Sequence, residues 1–464
     1  MGCTALPPVN EPLSIVEPES GYRLSRIKQQ SDGRVNDKRT LVLLAFSGGG
    51  TRAAALSYGV LEELRRTKVK AHGHEHTALD EVDLVVGVSG GSFTALSYGL
   101  MGERLFTEFE PNFLLRDVQG ELAARVLNPI FWPRLATTGY GRSELAADYY
   151  DEVLFHGATF DDLSRLGGPM VAVSGTDLTS GARFEFTQDH FDLICSSLNT
   201  IHLSLAAATS SAVPVVLSPV TFRNRGGKCG AQVPAWVQDI AAPNSTNRPA
   251  GRALLRYREI RGLEDSDNQP YLHVVDGGVS DNLGLRGILE AFEEIEASPS
   301  FQKVTDFDKL RHIVVVVVNA RSAPSTNWNK SRTPPGLLSE LLQSSSVPID
   351  HYSDESVELL KDIAQRWAYR RMLKVAEKRV SGMSKTEAEV AVPDLTFDTI
   401  DISFDALTDD SERRYFMDLP TSFHLPADAV KRLRAVAGKL LRESDATKQL
   451  LRRIEMSDGA DTQH

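Results

Sequence analysis

The sequence predicts an α/β fold of three layers, in which helices cover both faces of a mostly parallel central sheet. Short apolar runs that are typical of buried strands recur along the chain, among them 41–46 and the almost wholly β-branched 313–318. Stretches with apolar residues at helical spacing follow such runs, as 52–66 follows the first. Buried strands that alternate with helices form parallel sheets covered on both sides, so the pattern indicates this fold class.

Predicted strands and helices alternate in chain order. Strands are predicted at 41–47, 82–89, 169–179, 183–187, 272–278 and 312–320. Helices are predicted at 52–66, from about 90 to 100, at 202–212 and at 428–454. The last helix would bury a stripe of aliphatic side chains, namely Val430, Leu433, Ala437, Leu440 and Leu441. Its basic outer face is either a solvated surface or a contact for lipid headgroups.

The chain divides into three regions of different composition. Residues 1–37 are polar and proline-bearing, which predicts an extended leader. Residues 38–320 hold the alternating strands and helices, with a predicted surface insertion at 223–270 that is rich in glycine, proline, asparagine and charge. Residues 321–464 are predicted to form a mostly helical, charged C-terminal extension.

Composition and charge exclude some classes of protein. An apolar fraction of 41% with 24% charged residues is ordinary for a soluble globular chain of 464 residues. The net charge of −11 argues against a nucleic-acid binder, which would need a basic face. It also argues against electrostatic attraction to anionic lipid as the main membrane contact. No apolar run approaches the roughly 20 residues of a membrane-spanning helix.

The three cysteines do not form a disulfide framework. Cys195 and Cys229 could pair in an oxidising compartment or stay as buried free thiols. Cys3 follows Gly2 at the start of the chain, which looks like the beginning of a mature bacterial lipoprotein. We therefore expect a cell-envelope protein that is lipid-anchored at Cys3. The alternatives are an incidental cysteine in a loose tail and a cytoplasmic protein.

Three consecutive glycines, Gly48 to Gly50, lie between the first predicted strand and the first predicted helix. Glycines here expose backbone amides at a helix N-terminus, where the helix dipole attracts negative charge. A dinucleotide site would also need an acidic residue after a second strand, and the region 69–77 supplies no buried strand. A nucleoside triphosphate loop would need Gly-Lys-Ser/Thr, which is absent. The remaining interpretation is an oxyanion hole.

A nucleophile for that interpretation follows the second predicted strand. Ser89 stands in the pattern G-x-S-x-G between Gly87 and Gly91, at a predicted strand-to-helix turn. The serine needs a base. His312, His351 and His424 lie downstream of plausible acids, but none lies in a segment suited to present it. The better candidate is Asp276, which ends a predicted strand and precedes two glycines.

These motifs together resemble the patatin-like phospholipases. The resemblance covers roughly residues 39–320 and adds two blocks, 174–186 and 206–220, to the three motifs. It implies a three-layer patatin-like fold and a Ser-Asp dyad, in which Ser89 is acylated and Asp276 takes its proton. It also implies that the loop after the first strand holds the oxyanion, a loop made of Gly48, Gly49, Gly50, Thr51 and Arg52. Arg52 either helps there, meets a lipid phosphate, or only packs at the helix start.

The resemblance implies a lipid acyl hydrolase that acts on glycerophospholipids or lysophospholipids at a membrane surface. We expect no metal, no cofactor and no nucleic-acid partner. Two alternatives stay open: a Ser-His-Asp esterase of the α/β-hydrolase type, and an envelope lipoprotein that binds lipid without turnover. Asp177 and His190 are further polar residues at predicted strand ends, where such residues act in catalysis or only fix loops.

Overall fold

The computed structural model describes residues 9–23, 39–71, 74–231, 251–297, 310–323, 330, 332–392 and 395–452. Cys3, part of the predicted insertion and the end of the last predicted helix lie outside these residues. Within the described ranges, no helix is both long enough and apolar enough to span a bilayer.

The centre of the structure is an eight-stranded sheet. Its strands are β1 Thr40–Phe46, β4 Val82–Val88, β5 Met170–Asp177, β6 Arg183–Glu185, β7 Val220–Arg223, β8 Tyr271–Asp276, β9 His312–Asn319 and β10 Thr396–Ser403. They lie in the order β10-β9-β1-β4-β5-β8-β7, and β6 pairs with β5. A separate hairpin consists of β2 Lys68–Ala71 and β3 His74–Thr77. The five strands from β10 to β5 are parallel, whereas β6, β7 and β8 pair in antiparallel fashion. The predicted mostly parallel sheet is thereby confirmed.

Helices lie on both faces of this sheet. They are α1 Gly50–Arg66, α2 Gly90–Met101, α3 Leu105–Phe109, α4 Val118–Leu127, α5 Trp132–Leu135, α6 Arg142–Tyr150, α7 Phe160–Leu166, α8 Gln188–Leu193, α9 Leu203–Ser210, α10 Gly251–Leu263, α11 Gly278–Asp281, α12 Leu285–Ala297, α13 Leu337–Val380, α14 Lys385–Ala391, α15 Asp410–Met417 and α16 Ala427–Glu443. Short 3₁₀ or π turns occur at Gly102–Arg104, Glu110–Leu114, Pro129–Phe131, Asp151–Phe155 and Phe404–Ala406.

The apolar runs exist because the sheet is buried on both faces. Along β9, Val314, Val316 and Val318 belong to one hydrophobic cluster, and the alternate residues Ile313, Val315 and Val317 belong to a second. Helices α1, α2, α9 and α16 contribute side chains to the first cluster, and α12 and α13 contribute to the second. A strand between two apolar layers needs apolar residues at every position, as the sequence predicted.

The C-terminal region is mostly helical but also supplies a strand of the central sheet. Strand β10 pairs in parallel with β9, from Thr396 opposite His312 to Ser403 opposite Asn319. The sequence analysis missed it because its segment, TFDTIDIS, contains two aspartates and lacks a continuous apolar run. An edge strand tolerates such residues because part of its surface faces solvent.

Helix α16 begins one residue before the predicted helix 428–454 and ends at Glu443, before the predicted end. All five side chains of the predicted buried stripe are buried. Three cations of its basic face lie in ion pairs with other segments: Arg434 pairs with Glu62 and Glu110, Lys439 pairs with Glu412, and Arg442 pairs with Glu63. Part of the basic face is thus used for contacts within the protein.

Two predicted irregular regions are more ordered than expected. Within the predicted insertion, helix α10 buries Arg256, which pairs with Glu259 on its own helix and lies near Glu290 of α12. The many charged residues of this segment led to the prediction of an irregular surface insertion, although the segment forms a packed helix. In the predicted leader, the Tyr22 hydroxyl accepts a hydrogen bond from the Val171 amide at 2.8 Å and is buried. Residues 9–23 are thus docked on the main domain.

A disulfide joins Cys195 and Cys229, which the sequence alone left undecided. The two cysteines are 34 residues apart, and the bridge connects the end of α8 to the loop after β7. Because a cross-link restricts the unfolded chain, it stabilises the fold relative to the reduced protein.

We expect the double variant Cys195→Ser/Cys229→Ser to lose about 4 kcal/mol of unfolding free energy, the chain-entropy value for a loop of this length. Urea denaturation followed by circular dichroism measures the loss. Cys3→Ser is the matched control and should unfold like the wild type. An unchanged denaturation midpoint in the double variant would show that the bridge contributes nothing.

Candidate active site

Ser89 occupies a strained turn between β4, which ends at Val88, and α2, which begins at Gly90. Its backbone has φ 49° and ψ −118°, a conformation that residues other than glycine rarely adopt. Small neighbours permit the sharp turn: a Cβ at Gly87 would lie 2.8 Å from the Ala95 Cβ, and one at Gly91 would lie 2.6 Å from the Phe46 oxygen. The turn has the geometry of a nucleophile elbow.

The carboxylate of Asp276, at the end of β8, lies beside this serine. The Ser89 Oγ donates a hydrogen bond to Oδ2 of Asp276 at 2.8 Å. The second carboxylate oxygen accepts a bond from the Gly278 amide at 2.7 Å. Both side chains are buried, each with 6% exposure, so the pair lies away from bulk water. The structure therefore brings together the two residues that the sequence analysis proposed as a dyad.

Burial raises the pKa of Asp276 from 3.8 to about 6, although the hydrogen bonds from Gly278 and Ser89 oppose the shift. A carboxylate with a pKa near 6 is still ionised at neutral pH. It is also a better base for a hydroxyl group than an ordinary aspartate, because a general base works best with a pKa near the operating pH.

Helix α9 and the segment after it hold both catalytic candidates in place. Ser210 accepts a hydrogen bond from the Ser89 amide through its Oγ at 2.9 Å, and from the Gly277 amide through its carbonyl at 3.1 Å. The Asp276 amide donates to the Ala212 oxygen at 3.0 Å. Ser210 lies in the block 206–220 that resembles the family, but no role was predicted for it. The serine pair at 210–211, at the end of a helix of small apolar residues, is the sequence feature that could have indicated this role.

The glycine loop lies against the turn that carries Ser89. A Cβ at Gly48 would lie 3.3 Å from the Ser89 Cβ, and a Cβ at Gly90 would lie 2.1 Å from the Gly50 oxygen. Gly49 has φ 136° and Gly50 has φ 59°, so both occupy backbone regions that favour glycine. The helix that begins at Gly50 therefore points its N-terminal amides toward the region of the nucleophile.

Two of the five predicted oxyanion residues use their backbone donors elsewhere in this structure. The Gly48 amide donates to the Asn282 oxygen at 2.9 Å, and the Thr51 amide donates to the Ser422 oxygen at 2.9 Å. Within the described residues, the amides of Gly49 and Gly50 have no such acceptor. Among the amides of Gly48, Gly49, Gly50 and Thr51, those of Gly49 and Gly50 are therefore the candidate donors to an oxyanion. Ser422 could not be found from sequence, because it lies in a loop of the C-terminal extension.

Arg52 is buried and binds carbonyl and hydroxyl oxygens of distant segments. Its Nε donates to the Ala320 oxygen at 2.8 Å, and its Nη1 donates to the Leu419 oxygen at 2.6 Å. Its Nη2 donates to the Thr421 Oγ1 at 3.0 Å. Of the roles considered for Arg52, these contacts favour packing at the helix start. We call residues 419–423, which bond to Thr51 and Arg52, the C-terminal strap.

Neither His312 nor His424 hydrogen-bonds to Ser89 or Asp276 in the described part of the chain. His312 begins β9, at the end of the sheet opposite to Ser89, and its Nδ1 bonds to the Thr396 Oγ1 at 2.6 Å. His424 is half-exposed near Asp117. His351 lies in α13, and its side chain is outside the described residues.

Asp177 and His190 have contacts that stabilise the fold. The Asp177 Oδ2 accepts bonds from the amide and hydroxyl of Ser180, which fixes the turn after β5. His190 is buried, and its Nδ1 lies 3.3 Å from the Nη2 of Arg256. Burial, helped by the nearby guanidinium groups, holds the pKa of His190 well below its ordinary value, so the ring is neutral.

Fold and site together define a class: an α/β protein with a serine elbow, an aspartate partner and a glycine loop at one sheet edge. A comparison with family models matches residues 44–289 to the patatin-like phospholipases. The match covers more than half of the chain, and the chain belongs to the patatin-like phospholipase family. The family consists of lipid acyl hydrolases, which supports this general activity for the chain.

Two solved structures of human GIVD cytosolic phospholipase A2 are similar to this chain at 12% and 11% identity, each with a TM-score of 0.40. The similarity covers 98% of this chain and 69% of the first structure, and 94% of this chain and 64% of the second. The second was solved in complex with methyl gamma-linolenyl fluorophosphonate. VipD from Legionella pneumophila is similar at 11% identity, with a TM-score of 0.25, over 86% of this chain and 67% of VipD. No curated protein sequence matches the chain significantly.

Proposed function

We propose that this protein is a phospholipase A or lysophospholipase-type esterase that works through an acyl-enzyme on Ser89. The observation that carries the proposal is the hydrogen bond of 2.8 Å between Ser89 and a buried Asp276. Membership of the patatin-like phospholipase family supports the lipid substrate.

In the proposed first step, Asp276 accepts the hydroxyl proton while the Ser89 oxygen bonds to the ester carbonyl carbon. The carbonyl oxygen gains the negative charge, and the tetrahedral centre then expels the alcohol, which takes the proton from Asp276. In the second step, water gives a proton to Asp276 and attacks the acyl-serine. Release of the fatty acid returns the proton to the Ser89 oxygen.

The oxyanion in both steps would be held by the amides of Gly49 and Gly50. They are the glycine-loop donors that the described residues leave without an acceptor, and the dipole of the 17-residue helix α1 adds to their effect. Preorganised donors of this kind are typically worth about 10²–10³ each in rate. A weak base such as Asp276 therefore requires them.

Fatty-acid release is the direct test of the proposal. The wild-type chain is incubated with phosphatidylcholine and with lysophosphatidylcholine, and free fatty acid is quantified by mass spectrometry. The Ser89→Ala variant serves as the background. Release by the wild type from either lipid supports the proposal, and equal release by the two proteins would instead favour a lipid-binding protein without turnover.

The pH dependence follows from the raised pKa of Asp276. The ionised carboxylate is the active form, so kcat/KM should fall as the pH drops through about 6 and level off above about 7. An ordinary aspartate, with a pKa of about 3.9, would keep nearly full activity down to about pH 5. Initial rates on a soluble p-nitrophenyl ester between pH 4.5 and 8.5 measure the profile. A rate that is flat across pH 5–7 would contradict the assigned base.

We further propose that the protein resides in a bacterial cell envelope and is anchored through Cys3. The disulfide between Cys195 and Cys229 supports an oxidising compartment, where such bonds persist. Mass spectrometry of the native protein should find a diacylglyceryl thioether on Cys3. An unmodified cysteine in a soluble fraction would contradict the anchor.

A further inference from the structure

We propose that the surface around Trp132 docks this protein onto a phospholipid bilayer and presents the Ser89–Asp276 pair to it. The inference rests on the proposed function and extends it, because an enzyme that cleaves lipid esters must reach substrates held in a bilayer. The surface consists of five exposed apolar side chains that we call the apolar rim: Leu127, Ile130, Trp132, Val215 and Val216.

The side chains of the apolar rim are strongly exposed. Leu127 is 75% exposed, Ile130 is 74% exposed and Trp132 is 55% exposed, although they stand within six residues of one another. Single exposed apolar residues are normal on soluble proteins, whereas a group of them at one place marks an interaction surface. A partner that covers this group would remove the cost of its hydration.

The segment between α4 and α5 holds these side chains outward in an ordered turn. The Asn128 Oδ1 accepts a hydrogen bond from the Ile130 amide at 3.1 Å, and the Trp132 indole donates to the Val126 oxygen at 3.2 Å. Pro129 and Pro133 restrict the backbone further. The turn therefore needs little ordering when it inserts into another phase.

Hydrogen bonds connect Val215, at one end of the apolar rim, to the candidate active site. The Asp276 amide bonds to the oxygen of Ala212, the residue three positions before Val215. The guanidinium of Arg142, which begins α6, donates to the Val215 oxygen at 3.1 Å. The segment 212–216 thus runs from the proposed catalytic aspartate to the rim. A bilayer that contacts Val215 and Val216 would therefore approach the end of the sheet that carries Asp276.

The segment that carries Leu127, Ile130 and Trp132 does not share the acidic character of the whole chain. Residues 122–143 contain Arg125, Arg134 and Arg142 but no acidic residue, whereas the whole chain has a net charge of −11. The carboxylates that face them are Glu152, paired with Arg125, and Asp148, paired with Arg134. The rim is therefore not repelled by anionic headgroups. Tryptophan flanked by arginine is typical of membrane–water interfaces.

Vesicle flotation with the full chain tests this docking surface. The Ser89→Ala protein is used as the parent so that the lipids stay intact, with vesicles of phosphatidylcholine and phosphatidylglycerol in a 3:1 ratio. We expect the parent to float with the vesicles and the added pair Ile130→Ser/Trp132→Ser to bind roughly 100-fold more weakly. Leu127→Ser alone should weaken binding roughly tenfold and gives a second measure if the double variant folds poorly.

The matched control is Leu373→Ser, because Leu373 is 70% exposed on α13 but lies outside the rim. It should float like the parent. The proposal is overturned if the parent does not float, if the rim variants float as the parent does, or if they only change the oligomeric state in sedimentation without lipid. Hydrolysis of soluble p-nitrophenyl butyrate separates the two proposals: rim variants of the wild type should keep it. A wild type that floats but cleaves no ester would defeat the proposed function and leave the docking surface intact.

Discussion

Replacing Ser89 by alanine is expected to lower kcat/KM for an acyl ester roughly 10⁴- to 10⁶-fold, as the loss of a serine nucleophile does in other hydrolases. In the proposed mechanism the acyl-enzyme forms on Ser89, because its Oγ bonds to Asp276. The variant should also lose covalent labelling by a fluorophosphonate probe. Initial rates and gel fluorescence measure the two effects.

The matched control for this change is Ser97→Ala on α2, the helix that follows Ser89. Ser97 is buried, and its hydroxyl has no hydrogen-bond partner among the described residues, so its removal should leave activity and stability nearly unchanged. Ser89→Gly provides a second comparison. It should be as inactive as Ser89→Ala but more stable by about 1 kcal/mol, because glycine accepts φ 49° without strain. Full labelling of Ser89→Ala by the probe would place the nucleophile elsewhere.

Asp276→Asn should reduce kcat/KM roughly 10²- to 10⁴-fold, the usual contribution of a general base, while the fold is retained. The asparagine keeps the size of the side chain and can still accept the Gly278 amide bond, but it cannot take the serine proton. Asp177→Asn, which changes another buried aspartate at a strand end, is the control and should keep activity. If Asp276→Asn still reacts with the probe and a substitution of His312, His351 or His424 abolishes the reaction, the protein is a histidine-assisted esterase.

The same substitution should stabilise the protein at neutral pH. The folded-state pKa of Asp276 is raised from 3.8 to about 6, so the folded protein disfavours the ionised carboxylate that exists above this range. The penalty is about 3 kcal/mol at pH 7.5, decreases as the pH falls through about 6, and vanishes below about 3.8. Asp276→Asn should therefore unfold at higher urea concentration than the wild type at pH 7.5, and the advantage should shrink toward pH 4. An equal midpoint at both pH values would show that burial of this carboxylate costs nothing.

The sequence was most informative where a residue must be of one chemical kind. Strand β9 needs apolar side chains on both faces, and the turn at Ser89 needs small neighbours. Both the strand and the turn could therefore be predicted from the sequence. Strand β10 and helix α10 were missed, since an edge strand and a helix anchored by Arg256 both tolerate charge. The contact of Ser422 with Thr51 was also missed. It depends on a loop about 370 residues further along the chain, which no local pattern reports.

The C-terminal strap has a consequence for how the family match should be used. The matched region stops at residue 289, yet the loop that begins helix α1 is held from residues 419–423 through the amide of Thr51 and the side chain of Arg52. A fragment cut to the matched boundaries would leave a buried guanidinium without its acceptors and would strip β1 of its neighbour β9. The minimal autonomous unit is thus larger than the region recognisable by homology, and the last third of the chain is a part of the catalytic body rather than an appendage.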